Sequence, residues 1–294
     1  MPFLPFTFSI VGAQKAGTST LQWMLNQHPE VTRPPRKEMG WFDVDDATWR
    51  DVDHSAYGIT HARPIHCALG DATPRYLLMP GALERMREQC PDMRLIAVFR
   101  DPIDRLVSQW VMVRERQPGK APDWPEMMAW RPDDFPTELP EEFHGPGGRA
   151  RFMRASGVIR GYYGGQVRHG LSVFPREQWL FLDFASLLDE PNPTLDLVTR
   201  HIGVGRFKPY PPLRKLMAGS PTIQGTPPTG EDLMTLARAL EPELAEYVAL
   251  TGRSVDHWTT ERLLTGDLDA DEQAAAYARK AGLAGWPRSA CSTS

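Results

Sequence analysis

Two stretches of this chain combine residue types and spacings suited to chemistry on a phosphorylated ligand. The first is Gly12-Ala13-Gln14-Lys15-Ala16-Gly17-Thr18-Ser19-Thr20, where an apolar run ends in a glycine-rich turn and a helical pattern begins. Backbone N–H groups at such a junction converge on an anion, and the helix dipole favours negative charge there. Gly12 and Gly17 permit the tight turn, Thr18, Ser19 and Thr20 bring hydroxyl donors, and Lys15 brings a point charge. The second stretch runs from Leu95 to Ser108: an apolar run, Arg100 where it ends, and Ser108 two helical turns further on. An arginine at the carboxyl edge of a parallel strand is placed to grip a phosphate with its forked donors.

The elements that must position these residues follow from the apolar pattern. Residues Phe6–Val11, Arg94–Phe99 and Gln178–Leu182 read as buried strands. Helical patterns run over Ser19–Asn26, Ile103–Arg116, Ala155–His169, about 230–251 and Asp271–Ala281. Strands alternating with helices predict an α/β fold: P-loop-like and three-layered, with a central, mainly parallel sheet flanked by helices. The two loop glycines have the Walker A spacing, but Thr18 stands where the Walker lysine belongs, and Lys15 lies two residues before Gly17. A nucleoside triphosphatase needs that lysine on the β- and γ-phosphates, together with a Mg²⁺ ligand set.

The segment Gly12–Pro29 resembles the 5′-phosphosulfate loop and first helix of sulfotransferases that use 3′-phosphoadenosine 5′-phosphosulfate (PAPS). The likeness is to the branch that holds the heparan sulfate sulfotransferases and their bacterial relatives. Arg100-Asp101-Pro102, Arg105 and Ser108 look like that family's 3′-phosphate site. The resemblance implies that Gln14, Lys15, Ala16, Gly17, Thr18, Ser19, Thr20, Arg100, Ser108, Tyr163 and Gly225 bind the nucleotide. It also implies that Glu38, in Arg36-Lys37-Glu38-Met39-Gly40-Trp41-Phe42-Asp43, is the general base, with Lys15 catalytic beside it. The chain departs from the family at Gly40, where a histidine is usual, at Ala72, where a lysine is usual, and at Gln224 and Thr226, where basic residues are usual. Arg75 is a candidate replacement for the lysine lost at Ala72, and His54, His61 and His66 are alternative bases. The implied reaction is transfer of the sulfuryl group to a hydroxyl, less readily an amine, of a small metabolite or carbohydrate, with adenosine 3′,5′-bisphosphate (PAP) released. A P-loop kinase or nucleotide-binding protein and an inactive PAP-binding scaffold are the competing readings.

The likeness covers residues 6–258, so residues 1–258 are expected to form the sulfotransferase domain, with 117–148 an irregular insertion suited to a substrate loop. Residues 259–294 read as a polar tail with one helix. The 294 residues carry Lys+Arg 33 against Asp+Glu 37, a net charge of −4, which argues against nucleic acid or an anionic membrane as partner. An apolar N-terminus without a basic leader predicts a cytoplasmic protein. The 3 cysteines and 8 histidines show no metal-ligand spacing, so no metal is expected.

Overall fold

A computed structural model describes residues 6–34, 37–44, 64–214 and 222–283. Its strands are β1 (Phe8–Gly12), β2 (Val31–Thr32), β3 (Ala68–Asp71), β4 (Arg94–Phe99) and β5 (Trp179–Asp183). They form one sheet in the order β2-β3-β1-β4-β5, and every neighbouring pair is parallel. With helices between the strands, the architecture is α/β around a parallel sheet, as the alternating pattern predicts. Strands β1 and β4 are apolar at nearly every position because both of their faces are buried.

Strand β4 falls where expected, and β1 and β5 begin slightly later than the apolar runs suggest. Strands β2 and β3 are too short to show periodicity and were not expected. Gly70 of β3 is required by packing: a Cβ there would lie 2.2 Å from the Phe8 ring of the neighbouring strand. This pairing sets Asp71 opposite Ser9 in register. The carboxyl ends of β1, β3 and β4 therefore carry the Gly12–Thr18 turn, Asp71 and Arg100. Open parallel sheets bind ligands at that edge.

The chain divides into two compact units. The first comprises Met1–Arg100, Pro136–Glu138 and Gln166–Leu216; the second comprises Asp101–Phe135, Leu139–Gly165 and Met217–Ser294. The sheet, α1 (Thr18–Leu25), α2 (Ala82–Gln89), α7 (Phe184–Asp189) and α8 (Pro191–Ile202) belong to the first. The second holds α3 (Pro102–Arg116), α4 (Trp124–Met128) and α5 (Gly148–Ala155).

Three expectations for helices need correction. The helix expected over Ala155–His169 is instead α5, a 3₁₀ turn at Ile159–Gly161, and α6 (Tyr163–Val173). Glycines at 157, 161, 164 and 165 weaken a continuous helix, and a Cβ at Gly161 would meet Pro102 at 2.8 Å. The expected irregular stretch 117–148 contains α4, whose capping box pairs Asp123 with Glu126 and whose Trp124 is buried. The expected single helix of the tail is matched by α11 (Ala270–Lys280), but α10 (Thr259–Thr265) precedes it. Both pack against α9 (Gly230–Thr251), and Ala274, Tyr277 and Ala278 are buried, so residues 259–283 are part of the folded unit.

Candidate active site

In the first unit, the turn after β1 takes left-handed backbone at Lys15, φ 72, and at Gly17, φ 84. Such turns form anion-binding nests. Gly17 is the N-cap of α1, and no side chain caps that helix. The first intrahelical bond joins the Leu21 amide to the Gly17 carbonyl at 3.0 Å, which leaves the amides of Thr18, Ser19 and Thr20 as the first-turn donors. Gln14, Lys15, Gly17 and Ser19 are half-buried, and Ala16, Thr18 and Thr20 are buried. The Thr20 hydroxyl donates to the Arg214 carbonyl at 3.3 Å, so the contribution of Thr20 to an anion falls to its amide.

Arg100 ends β4 beside this turn. Its guanidinium donates to the Lys15 carbonyl at 3.4 Å and lies 5.2 Å over the Phe184 ring. The same ring closes the space behind Gly17, where a Cβ would lie 2.8 Å from Phe184 Cδ2. Phe184 is thus a shared floor for the turn and for Arg100, a role no sequence motif marks.

Glu38 is joined to the turn by its neighbour Lys37. The Lys37 ammonium donates to Ser19 Oγ and pairs with Glu38 Oε1 at 3.1 Å. Glu38 is 36% exposed, open enough to meet a ligand. Arg75, a candidate replacement for a lysine at position 72, instead pairs through Nε with Asp43 Oδ2 at 2.7 Å, and Ala72 is fully buried. Burial raises the Asp71 carboxyl above its ordinary range, against hydrogen bonds from Thr73, Met39 and Tyr76 that pull it down. Burial, together with the Asp71 charge, pushes the Tyr76 phenol well up. His66 is half-buried; Arg36, His54 and His61 lie outside the described residues.

Ser108, Tyr163 and Gly225 belong to the second unit. Ser108 is half-buried on α3. Gly225 packs on the same helix: a Cβ there would stand 3.3 Å from Trp110 and 2.5 Å from Asp123. The loop around Gly225 is fastened by Arg114, which donates through Nε to the Gln224 carbonyl at 2.9 Å, and by Asp123, which accepts from the Thr226 amide at 2.8 Å. Burial works to raise the Asp123 carboxyl, but N–H bonds from Thr226, Trp124 and the Trp110 indole bring it below its ordinary value. Tyr163 is fully buried, 6.0 Å from the Tyr247 ring and 5.9 Å from Trp258. Arg105, in the same motif as Ser108, is also fully buried and bonds Gln109 Oε1 at 2.7 Å.

Among the described residues, no group of His, Cys, Asp and Glu is placed to hold a metal ion. Among them too, no helix is long and apolar enough to cross a membrane.

The sulfotransferase domain family matches residues 7–206. Heparan sulfate glucosamine 3-O-sulfotransferase 5 of Mus musculus and of Homo sapiens are each 24% identical over 195 residues, covering 66% of this chain and 52% of theirs. Human heparan sulfate glucosamine 3-O-sulfotransferase 6 is 26% identical over 223 residues, covering 72% of this chain and 59% of its own. The chain thus spans about half the length of the curated relatives it matches. A sulfotransferase of Alicyclobacillus acidocaldarius shares the fold, with a TM-score of 0.61, 24% identity, and coverage of 86% of this chain and 98% of that one.

Proposed function

The chain belongs to the sulfotransferase domain family, and from that premise we propose that it moves the sulfuryl group of PAPS to a hydroxyl of a small metabolite or carbohydrate and releases PAP. The observation that carries this reading is Lys37, which bonds Ser19 of the anion cradle and Glu38 at once. It ties a carboxylate that can take a proton to the turn that, in this reading, holds the phosphosulfate.

In this reading the cradle amides and Lys15 hold the 5′-phosphosulfate, and Arg100 holds the 3′-phosphate. Ser108, Tyr163 and Gly225 are assigned to the nucleotide by their sequence pattern. The acceptor oxygen attacks sulfur while Glu38 takes its proton. The bond between sulfur and the 5′-phosphate oxygen breaks, and its electron pair leaves on PAP. Lys15 and the cradle amides stabilise the charge that grows on that oxygen. As in phosphoryl transfer, positioning and electrostatics account for most of the rate. The relatives named for heparan sulfate glucosamine support a sugar hydroxyl as one class of acceptor.

Thermal unfolding with PAP, beside ADP plus Mg²⁺, tests the nucleotide assignment. A ligand at 100 times its Kd stabilises the folded state by about 2.7 kcal/mol. The expected result is stabilisation by PAP alone, lost in Arg100→Ala. A larger effect of ADP with Mg²⁺ would favour a kinase-type protein. PAP binding without any consumption of PAPS would favour a non-catalytic scaffold.

A further inference from the structure

The segment that carries Glu38 has an unusual backbone. Glu38 itself is left-handed, φ 55, and Gly40 follows at φ 66. A side-chain-bearing residue persists in that region only where its surroundings over-determine it. Here the surroundings are three side chains of one short stretch, Asp71-Ala72-Thr73-Pro74-Arg75-Tyr76. They accept hydrogen bonds from three consecutive amides: Met39 to Asp71 Oδ1 at 3.3 Å, Gly40 to Thr73 Oγ1 at 3.4 Å, and Trp41 to the Tyr76 hydroxyl at 3.0 Å. The two hydroxyls in turn donate to the other carboxylate oxygen, Asp71 Oδ2, Thr73 at 2.7 Å and Tyr76 at 3.2 Å. Asp71, Thr73 and Tyr76 are all buried, which strengthens such a network and makes it costly to leave half-made.

The clasp is also tied to the cradle. Asp71 ends β3, which pairs with β1 in the register Ser9 opposite Asp71. Just past the clasp, the Leu77 amide donates to the Val11 carbonyl at 3.0 Å. Further along the Glu38 segment, Arg75 holds Asp43 at 2.7 Å, and Arg85 Nε donates to the Phe42 carbonyl at 2.7 Å.

We propose that Asp71, through Thr73 and Tyr76, is a positioning residue for Glu38: the clasp fixes the left-handed turn that aims the Glu38 carboxylate at the acceptor beside the cradle. This rests on the reading of Glu38 as the base. Asp71 reaches Glu38 through the backbone of residues 39–41, so its effect on turnover must vanish once the side chain at 38 can no longer take a proton.

The test uses Tyr76→Phe, Thr73→Val and Asp71→Asn, each made in the wild-type and the Glu38→Gln background. The readouts are single-turnover release of PAP from PAPS with a panel of sugar and small-molecule alcohols present to take the sulfuryl group, the Kd of PAP, and hydrogen exchange at the amides of residues 39–41. The expected result is a fall in PAPS turnover of about 10–100-fold in the wild-type background. PAP affinity stays within about twofold, exchange at 39–41 quickens, and no further fall occurs in the Glu38→Gln background. The two single-hydroxyl variants keep the test in force if Asp71→Asn fails to fold. An equal fall in both backgrounds overturns the proposal and leaves the clasp a purely structural feature. So does quickened exchange with turnover unchanged. Wild-type protein that binds PAP and leaves PAPS intact overturns the sulfotransferase reading itself, and this is seen before any variant is compared.

Discussion

The ammonium of Lys37 lies 3.1 Å from the carboxylate of Glu38 while it also donates to the hydroxyl of Ser19 in the loop after β1. The base candidate and the anion cradle therefore share one cation. Lys37→Met keeps the length of the side chain and removes the charge. PAPS turnover is expected to fall by about 10-fold or more, with a smaller loss of PAP affinity. Turnover at the wild-type rate in this variant would show that the bridge has no part in the chemistry.

Arg100 holds its guanidinium over Phe184 and against the Lys15 carbonyl, so its fork is oriented before any ligand arrives. Hydrogen bonds to charged groups contribute roughly 1.5–3 kcal/mol. Arg100→Ala is expected to weaken PAP by about 10–100-fold in calorimetric titration. Arg100→Lys should recover only part of this, because an ammonium cannot grip a phosphate with two parallel donors. Full recovery by lysine would mean that charge alone, and not the fork, is used.

Gly17 is left-handed at φ 84 and lies against Phe184, where a Cβ would come within 2.8 Å of the ring. Gly17→Ala is expected to cost about 1–2 kcal/mol for the backbone conformation and about 1–3 kcal/mol for crowding. Urea denaturation reads the sum. Phe184→Ala in the same chain should relieve the crowding but not the backbone cost. PAP binding should be lost with Gly17→Ala even where the protein remains folded.

Asp101 caps α3, accepting from the Asp104 amide at 2.7 Å and from the Thr260 amide and hydroxyl at 2.7 and 2.6 Å. Asp104 meanwhile accepts from the Tyr277 hydroxyl at 2.7 Å. The Asp101 carboxyl is raised from its ordinary 3.8 to about 6: burial is the main cause, the Asp104 charge adds to it, and the bonds from Asp104 and Thr260 work against both. Because the folded value lies above the unfolded one, the contribution of this group is fully present below about pH 4 and is lost as pH rises through about 6. Its full size is on the order of 3 kcal/mol. In urea denaturation between pH 4 and 7.5, the wild type is expected to lose stability relative to Asp101→Asn as pH rises. Parallel curves for the two proteins would show that Asp101 is ionised throughout.

Much of this was legible in the chain alone. The buried strands β1, β4 and β5 announced themselves as apolar runs, and the glycine-rich turn announced a candidate anion cradle, because a tight turn between strand and helix favours glycine locally. Arg100 was legible from its place at the end of an apolar run. Strand β3 was not: Ala68–Asp71 is a four-residue strand whose only mark is Gly70, and that glycine has meaning only beside the Phe8 ring. Asp101 caps α3 from a position just before Pro102, but its second partner, Thr260, lies 159 residues further along the chain.

The sequence by itself determined the longer elements and the chemical inventory: the strands β1, β4 and β5, the glycine-rich turn suited to an anion, and which carboxylate stands among basic residues. Hydrophobic period, turn chemistry and side-chain type are local properties and survive in one dimension. Only the tertiary structure decided how Glu38 is held. The clasp joins residues 39–41 to Asp71, Thr73 and Tyr76 across more than thirty positions. It exists because β3 pairs with β1 and carries Asp71 to the edge where the Glu38 segment passes. Such long-range hydrogen bonds leave no spacing in the sequence, since the distance that matters is set by strand pairing and not by position along the chain.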